Sequence, residues 1–383
     1  MGGFWICCHA CARSRVAHRL LTYSTRRGQL LDLSIYPHFV CPPRRLWPEL
    51  SRENFEELSP EVLRGRCING FDCWVLRTYY ELRVAGRPVT IGPTVAPGRV
   101  NIVGVRDFGR RDARADAFFA IPRLDAHDPK LADFVIHRNG LRGRGPTWDW
   151  VPHWAQPGME PRDPARQARV ERLVFKGAEI NLAADFKLGE FRDALAAVGV
   201  TLEIDVVRDG DRGNSWGDYR CADAVLAARN LTEYDARQKP ASKLINAWWG
   251  EVPALLGPEP AYQEQRRSEL DYLEVRGPRD VIAAIKRLKE EPGLFTAMVE
   301  NGRERRVSFD DEHLRSRWET ILDGSLSKAF DRWRRLRWPA RRLRTALKLV
   351  AEGWSRLEYQ RRIRRGDRIL SPSAQTRSRS NSA

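Results

Sequence analysis

The sequence lacks long apolar runs, a cysteine framework and the short strings that identify many enzymes. Nowhere do about 18 uncharged apolar residues follow one another, so no membrane-spanning helix is expected. The first residues have no basic segment ahead of an adequate apolar stretch, which argues against a secretory signal. The strings G-x-G-x-x-G, P-loop, G-x-S-x-G and H-E-x-x-H are absent, which makes those enzyme classes poor candidates.

The seven cysteines are an odd number, and their spacing forms no disulfide framework. This usage suits a reducing compartment, so we expect a cytoplasmic protein. Cys7, Cys8 and Cys11 contain one C-x-x-C pair, but no second pair follows at zinc-finger spacing. No metal site is therefore predicted, and Cys7 and Cys8 are expected to end a buried strand.

The positive charge is concentrated at one end of the chain. A net charge of +16 would suggest nucleic-acid binding if it were spread over the whole protein. Residues 325–383 contain 17 Lys and Arg against 4 Asp and Glu, a net charge of +13, which leaves +3 for residues 1–324. The body is nearly neutral, so a nucleic-acid partner is not predicted for it.

The first part of the chain alternates short apolar runs with stretches long enough for helices. Buried strands are predicted at residues 4–8, 36–40, 71–76, 100–105, 117–121 and 132–137. These runs lack strict alternation, which is typical of parallel sheets covered on both faces. A helix is predicted at residues 51–64, with Ser51 as its N-cap.

The alternation stops at residues 139–163, which are rich in proline, glycine and tryptophan, and then begins again. Further strands are predicted at 170–177, 201–207, 222–229, 252–256 and 272–275, and helices at 189–198, 241–249, 262–270 and 281–289. This indicates an α/β protein with two Rossmann-like domains. We place them at residues 1–152 and 153–324, since the chain is too long for one ordinary core.

Residues 325–370 are predicted to form a basic helical extension, and residues 371–383 are too polar to pack. Apolar residues recur at spacings of three and four from Trp333 to Leu357, with Arg or Lys between them. This is typical of an amphipathic helix, begun or bent at Pro339. Three interpretations stay open: residues 330–368 dock on an anionic membrane, such as the inner face of the plasma membrane, they pack on the first domain, or the basic tail binds nucleic acid.

The residues best suited to hold a phosphate follow the predicted strand that ends at Arg229. Lys239 and Pro240 stand where the next helix begins, and Lys243 lies one turn further on. Free N–H groups at a helix start and two lysine charges favour a diphosphate. The alternative is that both lysines belong to a solvated helix face.

Other polar groups are expected at the same edge of the sheet. Ser242 and Asn246 offer a hydroxyl and an amide suited to ribose or sugar hydroxyls. Arg229 at the end of one predicted strand, and Glu259 and Tyr262 after the next, are also assigned to the donor. Gly177 ends the strand 170–177, where a glycine allows close approach of a donor to the backbone. Glu259 has a plainer alternative as the neighbour of a helix N-cap.

The run KPASKLINAWWGEVPALLGPEPAY, with WGDYRCADAVLAAR before it and ELDYLEV after it, resembles the donor-binding half of a bacterial family of GT-B glycosyltransferases. The earlier VPHWAQPGMEPRDPARQARVERLVFKGAEINL resembles that family's junction and the first strand of its second domain. The resemblance implies two Rossmann-like domains that face each other across a cleft, and transfer of a sugar from a nucleotide diphosphate sugar to a polysaccharide, glycan or lipid-linked acceptor. The sequence gives no reason to require a metal, and no tightly bound cofactor is expected.

One departure from the larger retaining group of such enzymes concerns two glutamates that lie eight positions apart around this helix. The comparable places here hold Gln238 and Asn246. The stereochemistry of transfer is therefore open, and a non-catalytic GT-B-like protein that binds a partner or glycan is the alternative.

In the first domain, Arg123 and Asp125 follow a predicted strand closely. Arg123 is suited to a donor or acceptor phosphate, and Asp125 to accepting the proton of the acceptor hydroxyl. His153 lies at the junction, where it can orient a donor phosphate or sugar hydroxyl. The alternatives are that Asp125 caps a turn and that His153 makes a structural hydrogen bond near Trp150 and Trp154.

Overall fold

The computed structural model describes residues 35–52, 57–124, 126–177, 179–205 and 215–366. The predicted strand at 4–8, the Cys7 to Cys11 cluster, Asp125 and the tail 371–383 lie outside these residues. Within the described part, none of the helices combines the length and the apolar character needed to cross a membrane.

The strands form two parallel sheets. The first contains β1 (His38–Val40), β2 (Thr90–Gly92), β3 (Val100–Val103), β4 (Phe118–Pro122), β5 (Phe134–His137) and β6 (Trp148–Trp150). The second contains β7 (Arg172–Lys176), β8 (Thr201–Asp205), β9 (Ala224–Ala227), β10 (Ala254–Leu256) and β11 (Leu273–Glu274). β3, β4 and β9 are buried along their whole length, as expected for strands covered on both faces.

The helices follow the strands and cover the sheets. They are α1 (Pro60–Arg66), α2 (Arg77–Val84), α3 (Gly189–Ala197), α4 (Glu233–Ala236), α5 (Ser242–Trp249), α6 (Pro260–Gln265), α7 (Pro278–Glu290), α8 (Pro292–Arg306), α9 (Asp311–Ile321), α10 (Ser327–Arg334) and α11 (Trp338–Arg364). Two π-helical turns, Asp72–Leu76 and Leu322–Leu326, run directly into α2 and α10.

The two sheets share one strand order. The first runs β2-β1-β3-β4-β5-β6 and the second β8-β7-β9-β10-β11, and every pair is parallel. The direction of winding therefore reverses between β1 and β3, and again between β7 and β9. In sheets of this kind, ligands bind outside the carboxyl ends of the strands at such a reversal.

The predictions for residues 71–76 and for Ser51 are wrong. Residues Asp72–Leu76 form a π-helical turn with every side chain buried, and an apolar run this short does not distinguish a buried helix from a buried strand. Ser51 ends a 3₁₀ helix, Pro48–Ser51, and does not start a helix. The cap nearby is Ser59, whose hydroxyl accepts a hydrogen bond from the Val62 N–H at the start of α1.

The last helices return to the first sheet. Leu314, Trp318 and Ile321 of α9 lie in the same hydrophobic core as the strands of the first sheet. The rings of Phe330 and Trp333 in α10 contact the Phe118 ring of β4, with centroids 5.5 and 6.0 Å away. The chain thus packs on the first sheet before residue 324, and the division into domains stays a proposal.

α11 lies against the loop between β4 and β5. The Glu352 carboxylate accepts hydrogen bonds from the His127 ring, from Arg356 Nε at 2.7 Å and from the Leu131 N–H at 3.3 Å. Lys348 pairs with Asp133 on the same side of the helix. Burial alone would raise the pKa of Glu352, but the hydrogen bonds from His127 and Arg356 outweigh it and lower the pKa to about 2.

Glu352→Gln is expected to lower the free energy of unfolding by about 2 kcal/mol at pH 7, because the variant loses a carboxylate that is more acidic in the folded chain. A lowered folded pKa stabilises the protein above about pH 4.5, the ordinary value for Glu, and this is lost as the pH falls towards 2. Urea unfolding of both proteins from pH 7 to pH 3 measures the difference. A difference that does not shrink with falling pH would contradict the assignment.

Candidate functional site

The carboxyl edge of the second sheet holds most of the predicted donor-binding residues. Gly177 directly follows β7, while Arg229 and Glu259 follow β9 and β10 within three residues. Lys239 precedes α5, and Lys243 is its second residue. These positions surround the reversal between β7 and β9, so the fold gathers them as the order of strands predicts.

Gly177 and Lys243 lie side by side at this edge. Gly177 has a φ of 151°, which side-chain-bearing residues rarely adopt, and a Cβ atom there would lie 3.2 Å from Lys243 Nζ. Lys243 Nζ donates a hydrogen bond to the Lys176 carbonyl and lies 5.0 Å from the centroid of the Trp216 ring. A lysine ammonium is thus held directly against a glycine backbone, an arrangement suited to an anion that touches both.

Arg229, Glu259 and Tyr262 form a second group beside the first. Arg229 Nε donates to Glu259 Oε1 at 2.7 Å, a second bond joins the other two atoms of the fork, and both side chains are buried. The Arg229 guanidinium lies 5.7 Å from the centroid of the Tyr262 ring. Glu259 therefore orients Arg229, and direct contact between Glu259 and a donor stays a prediction.

Tyr262 is fully enclosed in the protein. Its ring is 0% exposed, and its hydroxyl has no hydrogen-bond partner among the residues that the structure describes. Burial raises the pKa of Tyr262. The Tyr262 ring packs against the Arg229 guanidinium. Contact between Tyr262 and a donor likewise stays a prediction.

Ser242 and Asn246 lie on α5, one turn apart. Ser242 is the first residue of the helix and is half-buried, whereas Asn246 is only 9% exposed. Ser242 is therefore the more accessible of the two for a ligand at the helix start.

The loop before α5 lies against the end of the first sheet. Arg138 Nη2 donates to the Gln238 carbonyl at 2.6 Å, and Asn139 Nδ2 donates to the carbonyls of Arg237 and Lys239 at 3.0 Å each. Both donors directly follow β5. The segment containing Lys239 is thereby fixed between the carboxyl edges of the two sheets.

Arg123 projects from the end of β4 into the same region. Its side chain is 3% exposed, its Nη2 donates to the Tyr234 hydroxyl at 3.1 Å, and Asp128 Oδ1 is 3.7 Å from Nη1. Nε and Nη1 have no hydrogen-bond partner within the described ranges. Burial lowers the pKa of Arg123, as expected for a desolvated cation. A buried guanidinium with unused donors is suited to an anion.

His137 is a residue that the sequence reasoning missed. It is the last residue of β5 and is 7% exposed. Burial, with Arg123 and Arg142 nearby, lowers the pKa of His137 to about 4, so the ring is neutral at pH 7. The sequence feature that indicates His137 as a site residue is its position at the carboxyl end of a predicted buried strand.

The two predicted catalytic residues are Asp125 and His153. Asp125 lies outside the described residues. His153 Nδ1 forms a hydrogen bond with the Trp154 carbonyl at 2.7 Å, and its ring makes an edge contact with the Trp74 ring, with centroids 5.4 Å apart. This matches the structural alternative considered for His153, and both catalytic assignments stay predictions. Among the described residues, no cluster of three or more His, Cys, Asp or Glu side chains could hold a metal ion.

No family model matches the sequence, and no curated protein matches it either. Solved structures do match. Sucrose-phosphate synthase from Thermosynechococcus elongatus aligns with a TM-score of 0.51 at 11% identity, over 76% of this chain and 99% of that chain. HepE from Anabaena, solved with UDP and glucose, aligns with a TM-score of 0.46 at 10% identity, over 75% and 99%.

TarM aligns with a TM-score of 0.43 at 9% identity over 65% of this chain, and this chain spans only 58% of the length of TarM. At these identities a structural match establishes the fold and not the reaction. The two parallel sheets and the match to sucrose-phosphate synthase show that the chain has the GT-B fold.

Proposed function

We propose that this GT-B protein is a glycosyltransferase that moves a sugar from a nucleotide diphosphate sugar to a polysaccharide, glycan or lipid-linked acceptor. The observation that carries the proposal is the contact of Lys243 with Gly177 at the reversal between β7 and β9. That edge is where a sheet of this order binds ligands, and a lysine beside a bare backbone suits a diphosphate.

In the proposed complex, the diphosphate lies beside Gly177 and the start of α5. Lys243 would exchange its bond to the Lys176 carbonyl for a phosphate oxygen, and Lys239 adds positive charge nearby. Arg229, whose charge is balanced by Glu259, is assigned to a hydrogen bond with the donor. Ser242 and Asn246 are assigned to hydroxyl groups of the donor. Arg123, which follows β4 of the first sheet, is assigned to a phosphate of the donor or the acceptor.

The reaction breaks the bond between the anomeric carbon and the diphosphate oxygen and forms a bond from that carbon to the acceptor oxygen. The acceptor hydroxyl loses its proton to a base, for which Asp125 and His153 are the proposed residues. The leaving nucleoside diphosphate gains negative charge, which the lysines stabilise. His137 offers a neutral ring that can accept a hydrogen bond from a sugar hydroxyl.

We place the protein in the cytoplasm, in contact with the inner face of the plasma membrane. The proposed division is an acceptor-side domain at 1–152, a donor-side domain at 153–324 and a basic extension at 325–370. No metal or bound cofactor belongs to the proposal.

A thermal-shift screen with UDP-, GDP-, dTDP- and ADP-sugars tests donor binding. A donor at about 100 times its Kd should stabilise the native chain by about 2.7 kcal/mol and raise the unfolding midpoint by several degrees. The donor that binds is then assayed for hydrolysis and for transfer. If no donor binds or turns over, the enzyme proposal fails; binding without turnover would favour the non-catalytic alternative, which Gln238 and Asn246 motivate.

Arg123→Met is expected to weaken donor or acceptor affinity by roughly 10- to 100-fold, because a charged hydrogen-bond donor contributes about 1.5–3 kcal/mol. The same change should leave the unfolding midpoint unchanged or raise it, since it removes a desolvated cation whose donors are incompletely paired. Isothermal titration and thermal unfolding measure the two effects. A large loss of stability with unchanged affinity would assign Arg123 a structural role only.

A further inference from the structure

The outer face of α11 carries a continuous apolar stripe. Its members are exposed to solvent by 49–64% and follow one another at intervals of four and three residues: Leu343, Leu347, Val350, Trp354 and Leu357. At 3.6 residues per turn these positions fall on one side of the helix. Single exposed apolar residues are ordinary, but five aligned on one helix face mark an interaction surface.

The opposite side of α11 is already occupied. Lys348, Glu352 and Ser355 contact Asp133, His127 and the Asp128 carbonyl of the loop between β4 and β5. The inward side therefore carries these hydrogen-bonding groups beside Leu349, which packs on the hydrophobic core of the first sheet, whereas the outward side is apolar. An ordinary surface helix exposes its polar face. Packing on the first sheet accounts for the inward side and leaves the stripe uncovered by the residues that the structure describes.

The charge beside the stripe limits what can cover it. α11 has eight Lys and Arg against two Asp and Glu, and Glu352 is buried among its partners. Exposed arginines continue the stripe at its end, at Arg361, Arg364 and Arg365. A second copy of the helix would bring the same positive charge into contact, so pairing of two copies is opposed by repulsion. Nucleic acid matches the charge but not a row of leucine, valine and tryptophan.

We infer that the outer face of α11 docks on the surface of an anionic lipid bilayer. The stripe enters the region between headgroups and acyl chains, Trp354 lies at the boundary, and the arginines meet the anionic headgroups. The helix lies in the plane of the surface and does not cross it. Docking in this way leaves the contacts of Lys348, Glu352 and Ser355 with the first sheet intact.

The same helix reaches the candidate site. Arg362, near its end, lies 4.8 Å from the centroid of the Tyr234 ring, and the Tyr234 hydroxyl accepts the hydrogen bond from Arg123. In the docked protein, Arg123 would contact Tyr234, and Tyr234 would contact the helix that lies on the lipid. A lipid-linked acceptor is the substrate class that this arrangement favours, and this last step rests on the proposed function.

Co-sedimentation with vesicles tests the inference on the full chain. The wild type should bind vesicles of phosphatidylcholine with 30% phosphatidylglycerol, and less well vesicles of phosphatidylcholine alone. Leu347→Glu/Trp354→Glu should lower the partition coefficient roughly tenfold or more, since it removes two apolar anchors and adds two negative charges. Leu188→Glu, which changes another exposed leucine in the second sheet's half, should bind like the wild type.

Sedimentation velocity without lipid completes the test. The double variant and the wild type should have the same oligomeric state and, since all changed side chains are exposed, the same unfolding midpoint. Binding that is absent in the wild type, or unchanged in the double variant, overturns the inference. A wild-type dimer that the double variant abolishes would assign the stripe to a second copy. Donor binding in the thermal-shift screen uses no lipid, so failure of docking and failure of the proposed function are separable.

Discussion

Replacing Lys243 by alanine is expected to lower kcat/KM for sugar transfer by roughly 10²- to 10³-fold. The proposed transition state places growing negative charge on the diphosphate, and removal of one preorganised positive donor from such a site typically has an effect of this size. The lysine is already held at the required edge by the Lys176 carbonyl and the Trp216 ring. Steady-state kinetics with the donor found in the thermal-shift screen measure the effect.

The matched control for Lys243→Ala is Lys286→Ala, which removes an exposed lysine from α7 in the same half of the chain. It should leave both kinetics and unfolding unchanged. Lys243→Ala also loses the bond to the Lys176 carbonyl, so its unfolding midpoint must be measured alongside. An activity loss below about threefold, or a loss explained fully by unfolding at the assay temperature, would remove Lys243 from the donor site.

Gly177→Ala tests the contact of the diphosphate with the Gly177 backbone separately from the charge of Lys243. Alanine fits poorly at a φ of 151°, and its methyl group would press on Lys243 Nζ from 3.2 Å. If the diphosphate lies against this backbone, the variant weakens donor binding while Lys243 keeps its charge. Titration with the donor measures this; unchanged affinity would place the diphosphate elsewhere.

The edge on which the candidate site lies could be predicted from sequence, because parallel strands all end at the same side of their sheet. Gly177 and Lys243 are 66 positions apart, yet Gly177 directly follows β7 and Lys243 is the second residue of α5. The strand pattern predicted one common edge for both residues, but not their contact. The identity of the atoms in contact depends on packing between α5 and β7, which no local pattern contains.

The ion pair between Arg229 and Glu259 could not be predicted from the sequence. Both residues were assigned to the donor because both follow strands, but their side chains neutralise each other across 30 positions. Choosing between a ligand contact and an ion pair needs the distance between the two groups. The strand predicted at 71–76 failed for a related reason: burial on all sides gives helix and strand the same apolar run.

The sequence predicts the periodicity of the apolar stripe of α11, but it does not predict whether the stripe faces solvent or the protein. Spacings of three and four place Leu343 and Trp354 on one face, but the same pattern describes a helix whose apolar face packs inward. The deciding residue is Glu352, whose buried carboxylate accepts hydrogen bonds from the His127 ring and the Leu131 N–H of the loop between β4 and β5. The position of the partners of this buried carboxylate therefore determines the rotation of α11 about its axis.

Asp223→Ala is expected to lower the free energy of unfolding by about 3–5 kcal/mol, the usual cost of removing one partner from a buried ion pair. Asp223 is 0% exposed and directly precedes β9. Its Oδ1 accepts from Arg162 Nη2 at 2.9 Å and from Arg166 Nε at 2.7 Å, and its Oδ2 accepts the N–H groups of Glu171 and Arg172 at 2.9 Å each.

Those bonds explain both the size and the place of the effect. Burial alone would raise the pKa of Asp223, but the bonds from Arg166, the two N–H groups and Arg162 outweigh it, so the pKa is lowered and the group stays ionised. Alanine would leave the Arg162 guanidinium, 5% exposed, without its carboxylate, and the start of β7 without two acceptors. The free energy of unfolding of native proteins is only about 5–15 kcal/mol, so a loss of this size is a large fraction of it.

Urea unfolding followed by tryptophan fluorescence measures the effect, and Asp193→Ala on the exposed side of α3 is the matched control. The control removes the same carboxylate from a solvated position and should change stability by less than about 0.5 kcal/mol. Asp223→Asn keeps the shape but turns an N–H donor towards two arginines, so it should also destabilise, by less than alanine if the two backbone bonds survive. A loss below about 1 kcal/mol for Asp223→Ala would mean that water replaces the carboxylate, and that β7 and β9 are held together by their ladder alone.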